Sequence, residues 1–119
     1  MPANTKDLKP ELKVLMTKFL KECEKQGLNI LVTQGFRSVQ EQNNLYALGR
    51  TKPGKIVTNA KGIQSKHCKG MAFDICFLVN KCASYNGDWE KVGSIGSKLG
   101  LIWGGYWKSF PDRPHFEIQ

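Results

Sequence analysis

Leu8, Leu12, Leu15, Met16, Phe19, Leu20 and Cys23 recur at the spacing of one face of an α-helix, with mostly charged residues between them. Gly27 stands just past the last of them, where a glycine ends such a helix. Leu28 to Thr33 then reads as a strand carrying the chain to Gly35 and Arg37. Ser38 followed by Glu41 is a capping-box signature, which predicts a second helix through Leu48, stopped by Gly49. Residues 50 to 64, rich in Lys, Gly and Thr, read as an exposed loop. Phe73 to Val79 is an apolar run of strand length, Asn80 to Gly87 reads as a turn, and Asp88 caps a third helix ending near Gly100. Leu101 to Trp103 and His115 to Ile118 complete the series. The expected fold is α+β, a small, mostly antiparallel sheet with about three helices, forming a single domain over residues 1–119.

Two stretches stand out from this pattern because they contain both histidines of the chain, His67 and His115, each with an acid nearby. Two ligands of one metal ion bond at about 2.0–2.2 Å each, so they must lie within a few ångströms of one another. His67 and Asp74 are seven positions apart, a span of about 10 Å in a helix or about 23 Å in a strand, so neither regular structure brings both to one ion. The chain must turn between them, and Gly70 supplies the pivot. Further on, Pro111 and Pro114 bracket Asp112 and favour a turn that feeds a short strand. Along that strand His115 and Glu117 share one face while Phe116 and Ile118 share the other. The polar face would meet the metal and the apolar face the core. Taken one at a time, these residues also have plainer readings: a histidine in a structural role, an aspartate capping a turn.

The set as a whole resembles the zinc peptidases of the D-Ala-D-Ala carboxypeptidase/VanY type, including the L-alanyl-D-glutamate endopeptidase domains of phage endolysins. Ser65, His67, Gly70, Ala72 and Asp74 match that family's Ser-x-His-x-x-Gly-x-Ala-x-Asp, and Asp112 with His115 matches its later acid-x-x-His. Gly35, Arg37 and Ser38 match an upstream Gly-x-Arg-Ser, and the Trp103 to Phe110 run is similar to the family's approach to its last ligand. Where the family often has an acid between the glycines and the tryptophan, this chain has Tyr106. The resemblance covers roughly residues 28 to 118.

It implies that His67, Asp74 and His115 bind Zn2+ and leave a fourth position for water, as a catalytic site requires. Asp112 stands at the family's general-base position; Glu117, on the same strand face as His115, is a physical rival for that role or a supporting group behind the ligands. Arg37 is then the group that steadies a developing oxyanion or fixes a substrate carboxylate, and Ser65 a substrate-binding residue. The implied reaction is hydrolysis of a peptidoglycan stem-peptide bond, most simply L-Ala-D-Glu, by attack of a metal-bound water. D-Ala-D-Ala carboxypeptidase or dipeptidase activity is the alternative within the class, and a non-catalytic metal-bearing wall-binding module is the alternative outside it.

Composition adjusts this picture at its edges. A formal charge of +8 implies an anionic partner, which bacterial cell wall supplies, although a merely solubilising surface is the plainer account. The basic residues are scattered, no nucleic-acid module is visible, and two histidines are few for a histidine-metal nuclease, so nucleic acid is not expected as a partner. No apolar run is long enough to span a membrane, and Met1 to Lys6 lacks the core of a secretory signal. The expectation is a monomer made in the cytoplasm that acts on the wall after release, through a holin if phage-encoded, with no separate wall-binding module. Cys23, Cys68, Cys76 and Cys82 match no structural zinc spacing and read as free thiols, with Cys76 and Cys68 nearest the implied site.

Overall fold

The apolar stripe of the first segment forms helix α1, Pro10–Lys25, whose Leu12, Phe19 and Cys23 are fully buried. Its proline sits in the first turn, where the missing N–H is not needed, and Gly27 follows it with a left-handed backbone. The computed structural model describes residues 3–58 and 60–119; Met1 and Pro2 of the N-terminal stretch and Asn59 of the predicted loop lie outside them. Strand β1 is Ile30–Gln34, helix α2 is Val39–Ala47, strand β2 is Ala72–Val79 and helix α3 is Trp89–Lys98. The capping box is present as predicted: Ser38 Oγ accepts from the Glu41 N–H, and Glu41 accepts from the Ser38 N–H. Asp88 caps α3 by accepting from the Lys91 N–H.

Within the expected Asn80–Gly87 turn the structure has a strand, Cys82–Ser84 (β3), which folds back on β2 as a hairpin. Asn80 and Lys81 form its two-residue loop, both with positive φ (52° and 66°), which is the twist a tight hairpin demands. Strands Ile102–Trp103 (β4) and His115–Glu117 (β5) complete an antiparallel sheet of order β1-β2-β5-β4, with β3 beside β2 off that path. Among the described residues no helix is long and apolar enough to cross a membrane.

β2 is the central strand, and its alternation separates core from cleft. Phe73, Ile75 and Phe77 turn to the core, where Phe73 stacks on Phe116 with centroids 5.7 Å apart and Phe19 of α1 lies 4.8 Å from Phe116. Asp74, between two of them, turns to the other face and stands opposite His115 across the β2–β5 pairing.

The link into β2 is the predicted pivot. Lys66–Lys69 form a 3₁₀ turn that ends at Gly70, whose φ of 69° is left-handed. Gly70 is also pressed from outside: a Cβ there would sit 3.0 Å from the Asp7 carbonyl oxygen, and the Gly70 carbonyl accepts from the Lys9 N–H at 2.9 Å. Gly70→Ala is expected to cost about 1–2 kcal/mol or more, from left-handed strain plus the crowding. Urea denaturation of the metal-free protein checks this, and an unchanged midpoint would contradict it.

Candidate metal centre and catalytic cleft

His67 enters the site from the 3₁₀ turn, Asp74 from β2 and His115 from β5, and each offers a ligand atom within 4.8 Å of the others. His67 Nε2 lies 3.3 Å and His115 Nδ1 3.2 Å from the same oxygen, Asp74 Oδ1. Donors bonded tetrahedrally to one zinc-sized ion stand about 3.4 Å apart, close to both histidine–aspartate separations.

The orientation of each ring is set from behind. His67 Nδ1 donates to the Gly35 carbonyl oxygen at 2.8 Å, so Nε2 is the nitrogen turned to the cluster. His115 is turned the other way: its Nε2 donates to Glu117 Oε1 at 2.7 Å, leaving Nδ1 for the cluster. Gly35 can stand so close because it lacks a side chain; a Cβ would sit 2.9 Å from the Asn4 carbonyl carbon, and the Asn4 carbonyl accepts from the Phe36 N–H at 2.7 Å.

The carboxylates of the cluster are sorted by their partners. Burial acts to raise the Asp74 pKa, but hydrogen bonds from His115 and His67 outweigh it and hold the group well below the usual carboxylate range. Burial likewise works against a charged His115, yet its bonds to Asp74 and Glu117 push it up to about 9. Asp112 is the outlying member, its Oδ2 4.0 Å from His115 Nδ1 and its side chain 39% exposed. Burial and the Asp74 charge raise its pKa, which makes it a better proton acceptor than an ordinary aspartate. Glu117 instead sits at the far edge of the imidazole from Asp74, occupied by Nε2.

The cluster opens into a cleft of about 430 Å³ bounded by Arg37, Val57, Thr58, Ala60, Gln64 and Trp107. Arg37 is nearly buried, with Nη2 3.9 Å from Asp74 Oδ2 and Nη1 donating to Gln42 Oε1 at 2.6 Å. Ser65 lines the same wall, but its Oγ accepts from the His67 N–H at 3.2 Å and so also shapes the ligand turn. All four cysteines are free thiols: Cys76 is buried, and Cys68 Sγ is directed to the Ser38 carbonyl. Every residue proposed from the sequence therefore lies in or against one cleft.

Gln42 escaped the sequence reading. It is 1% exposed, and besides holding Arg37 it donates to the Ala60 carbonyl at 2.6 Å and the Thr58 hydroxyl at 3.3 Å, tying the arginine to the opposite wall.

A family described as D-alanyl-D-alanine carboxypeptidase matches residues 58–118 of the chain, the segment that carries all three ligand candidates. Over nearly the whole chain, 94% of it, the sequence is 40% identical to the peptidoglycan L-alanyl-D-glutamate endopeptidase CwlK of Bacillus subtilis, spanning 74% of that protein. The chain belongs to this peptidase family. The L-alanyl-D-glutamate peptidase of Listeria phage A118 is 26% identical over 98% of the chain and 40% of its own length. Among solved structures, the Serratia marcescens L-Ala D-Glu endopeptidase ChiX superposes with a TM-score of 0.78 at 21% identity, covering 98% of this chain and 84% of that one, which establishes the shared fold. As a family member the chain is a peptidase, and His67, Asp74 and His115 are a group able to hold its metal.

The metal-free protein should carry a pH signature of this cluster. His115 titrates at about 9 in the fold against 6.5 for a free imidazole, so its stabilising contribution is complete below pH 6.5 and is lost as pH rises through 9. Thermal melts of chelator-treated protein are expected to fall across that window; a flat or rising profile would contradict the arrangement.

Proposed function

We propose that this peptidase uses zinc to hydrolyse the L-Ala–D-Glu bond of peptidoglycan stem peptides. The observation that carries the reading is the placement of the acids about the His-Asp-His group. Asp112 Oδ2 lies 4.0 Å from His115 Nδ1, the nitrogen turned to the cluster, with its side chain 39% exposed, whereas Glu117 is engaged by Nε2. Identity to an enzyme named for that bond supports the choice of substrate.

His67 Nε2, His115 Nδ1 and Asp74 Oδ1 would hold the ion; two imidazoles and a carboxylate are a donor set that zinc favours, with room left in its coordination for water. Bound there, zinc supplies a lowered pKa for water and a Lewis acid for the scissile carbonyl. Asp112 takes the proton from the attacking water and returns it to the leaving amine. Glu117 keeps His115 in the tautomer that leaves Nδ1 unprotonated, which makes it a supporting group and not the base.

Arg37 binds the carboxylate of the leaving residue. Glutamate in the stem is linked onward through its γ-carboxyl, so its α-carboxylate is free and sits on the carbon attached to the scissile nitrogen. A terminal D-alanine presents the same group at the same place. A guanidinium fixed by Gln42 beside Asp74 can therefore serve either bond, and D-Ala-D-Ala hydrolysis is the second reading, favoured by the description of the matched family. The surplus of basic residues suits a wall rich in carboxylates and phosphates.

Mass spectrometry of digested peptidoglycan tests the bond directly, the expected products being new L-alanine C-termini and D-glutamate N-termini. Release of D-alanine alone would replace this reading with the second one. His67→Ala is expected to lose both zinc and activity. Asp112→Asn should retain zinc while turnover falls about 10²–10⁴-fold, and Glu117→Gln should weaken zinc binding about 10–100-fold. Should Glu117→Gln keep full zinc and abolish turnover while Asp112→Asn stays active, the two acids have been assigned the wrong way round.

A further inference from the structure

Past Asp112 the cleft continues into an apolar trough of about 270 Å³ lined by Val57, Thr58, Ala60, Trp107, Phe110 and Asp112. Val57, Thr58, Ala60, Trp107 and Asp112 border both spaces, whereas Arg37, Ser65 and the three ligand residues border only the first. Val57 is 50% exposed, Trp107 38% and Phe110 37%, so three large apolar side chains stand half-open to water along one strip. None of them belongs to the core. Trp107 is held in place by the site itself, its ring tilted against that of His115 with centroids 5.1 Å apart.

We propose that this trough is the acyl-side subsite and that it takes the amino-sugar end of the substrate, the lactyl ether and pyranose ring of a muramoyl group joined to the L-alanine. The inference rests on the L-Ala–D-Glu reading above. With the carboxylate of the leaving residue at Arg37, the scissile nitrogen lies on that side, and the acyl residue must extend the other way, past Asp112. Only one amino acid is available there before the chain becomes lactyl ether and sugar. A pyranose has apolar C–H faces and a polar rim, which suits an aromatic wall that is only half removed from water. A free ammonium at the same point would meet no carboxylate of the trough except Asp112, the group that has to accept a proton.

Three stem peptides identical from L-alanine onward, bearing at its nitrogen a muramoyl group, an acetyl group or a free amine, test this in the zinc-loaded enzyme. The muramoyl stem is expected to exceed the acetyl stem by about tenfold in kcat/KM, with the free amine slowest. Trp107→Ala and Phe110→Ala are each expected to shrink the muramoyl-to-acetyl ratio toward unity. Because Trp107 leans on His115, Phe110→Ala is the decisive variant, with zinc content measured alongside. Equal kcat/KM for muramoyl and acetyl stems, or a ratio unchanged in Phe110→Ala, overturns the subsite and leaves the reaction assignment standing. Removal of terminal D-alanine without any cleavage after L-alanine overturns both.

Discussion

The structure depends on the register of β5 against β2. One pairing sets Phe73 opposite Phe116 and, one step on, Asp74 opposite His115. The first pair is packed beneath α1, and the second faces the cleft. Because side chains alternate along a strand, a slip of one residue would turn the phenylalanine to the cleft and the histidine into the core. The apolar burial that stabilises the sheet therefore also brings two candidate ligands, Asp74 and His115, face to face. The third, His67, comes from outside the sheet and depends on the left-handed turn at Gly70.

Around that register the acids differ by what they touch, not by what they are. Asp74 receives two imidazoles and has Arg37 near its second oxygen, Glu117 takes a ring nitrogen from behind, and Asp112 keeps the greatest exposure. The two aspartates thus shift in opposite directions within one small volume, Asp74 down through its imidazole bonds and Asp112 up through burial and the Asp74 charge. The two histidines are handled in the same spirit. One is fixed by a backbone carbonyl and the other by a carboxylate, and as a result they present different nitrogens to a common centre.

Much of this was legible in the residues because it rests on local rules. The stripe of α1, the Ser38–Glu41 box, the pivot at Gly70 and the His115/Phe116 alternation each follow from a few neighbouring positions. What stayed hidden was non-local or lacked its usual marker. The β2–β3 hairpin turns on Asn80–Lys81, with no glycine to announce two positive φ angles. Gln42 sits in a helix of weak amphipathicity, and the partners that accompany its burial, Arg37, Thr58 and Ala60, lie outside that helix. The choice between Asp112 and Glu117 could not be read from strand alternation, which puts Glu117 on the right face and says nothing of which nitrogen it meets. The resemblance to a known family supplied the candidate ligand set; the geometry supplies the outer bonds that orient its two histidines.

The stretch before α1 changes what counts as the catalytic unit. The Asn4 carbonyl holds the Phe36 N–H, and Lys9 binds the Gly70 carbonyl, so the opening residues brace both the segment whose carbonyl orients His67 and the turn that delivers it. Arg37 and Gln42, too, precede residue 58, where the family match begins. The matched segment holds the three candidate ligands, but one of them, His67, is aimed by a carbonyl that precedes it. Substitutions before residue 58 can therefore disturb the aim of His67 while every candidate ligand stays in place.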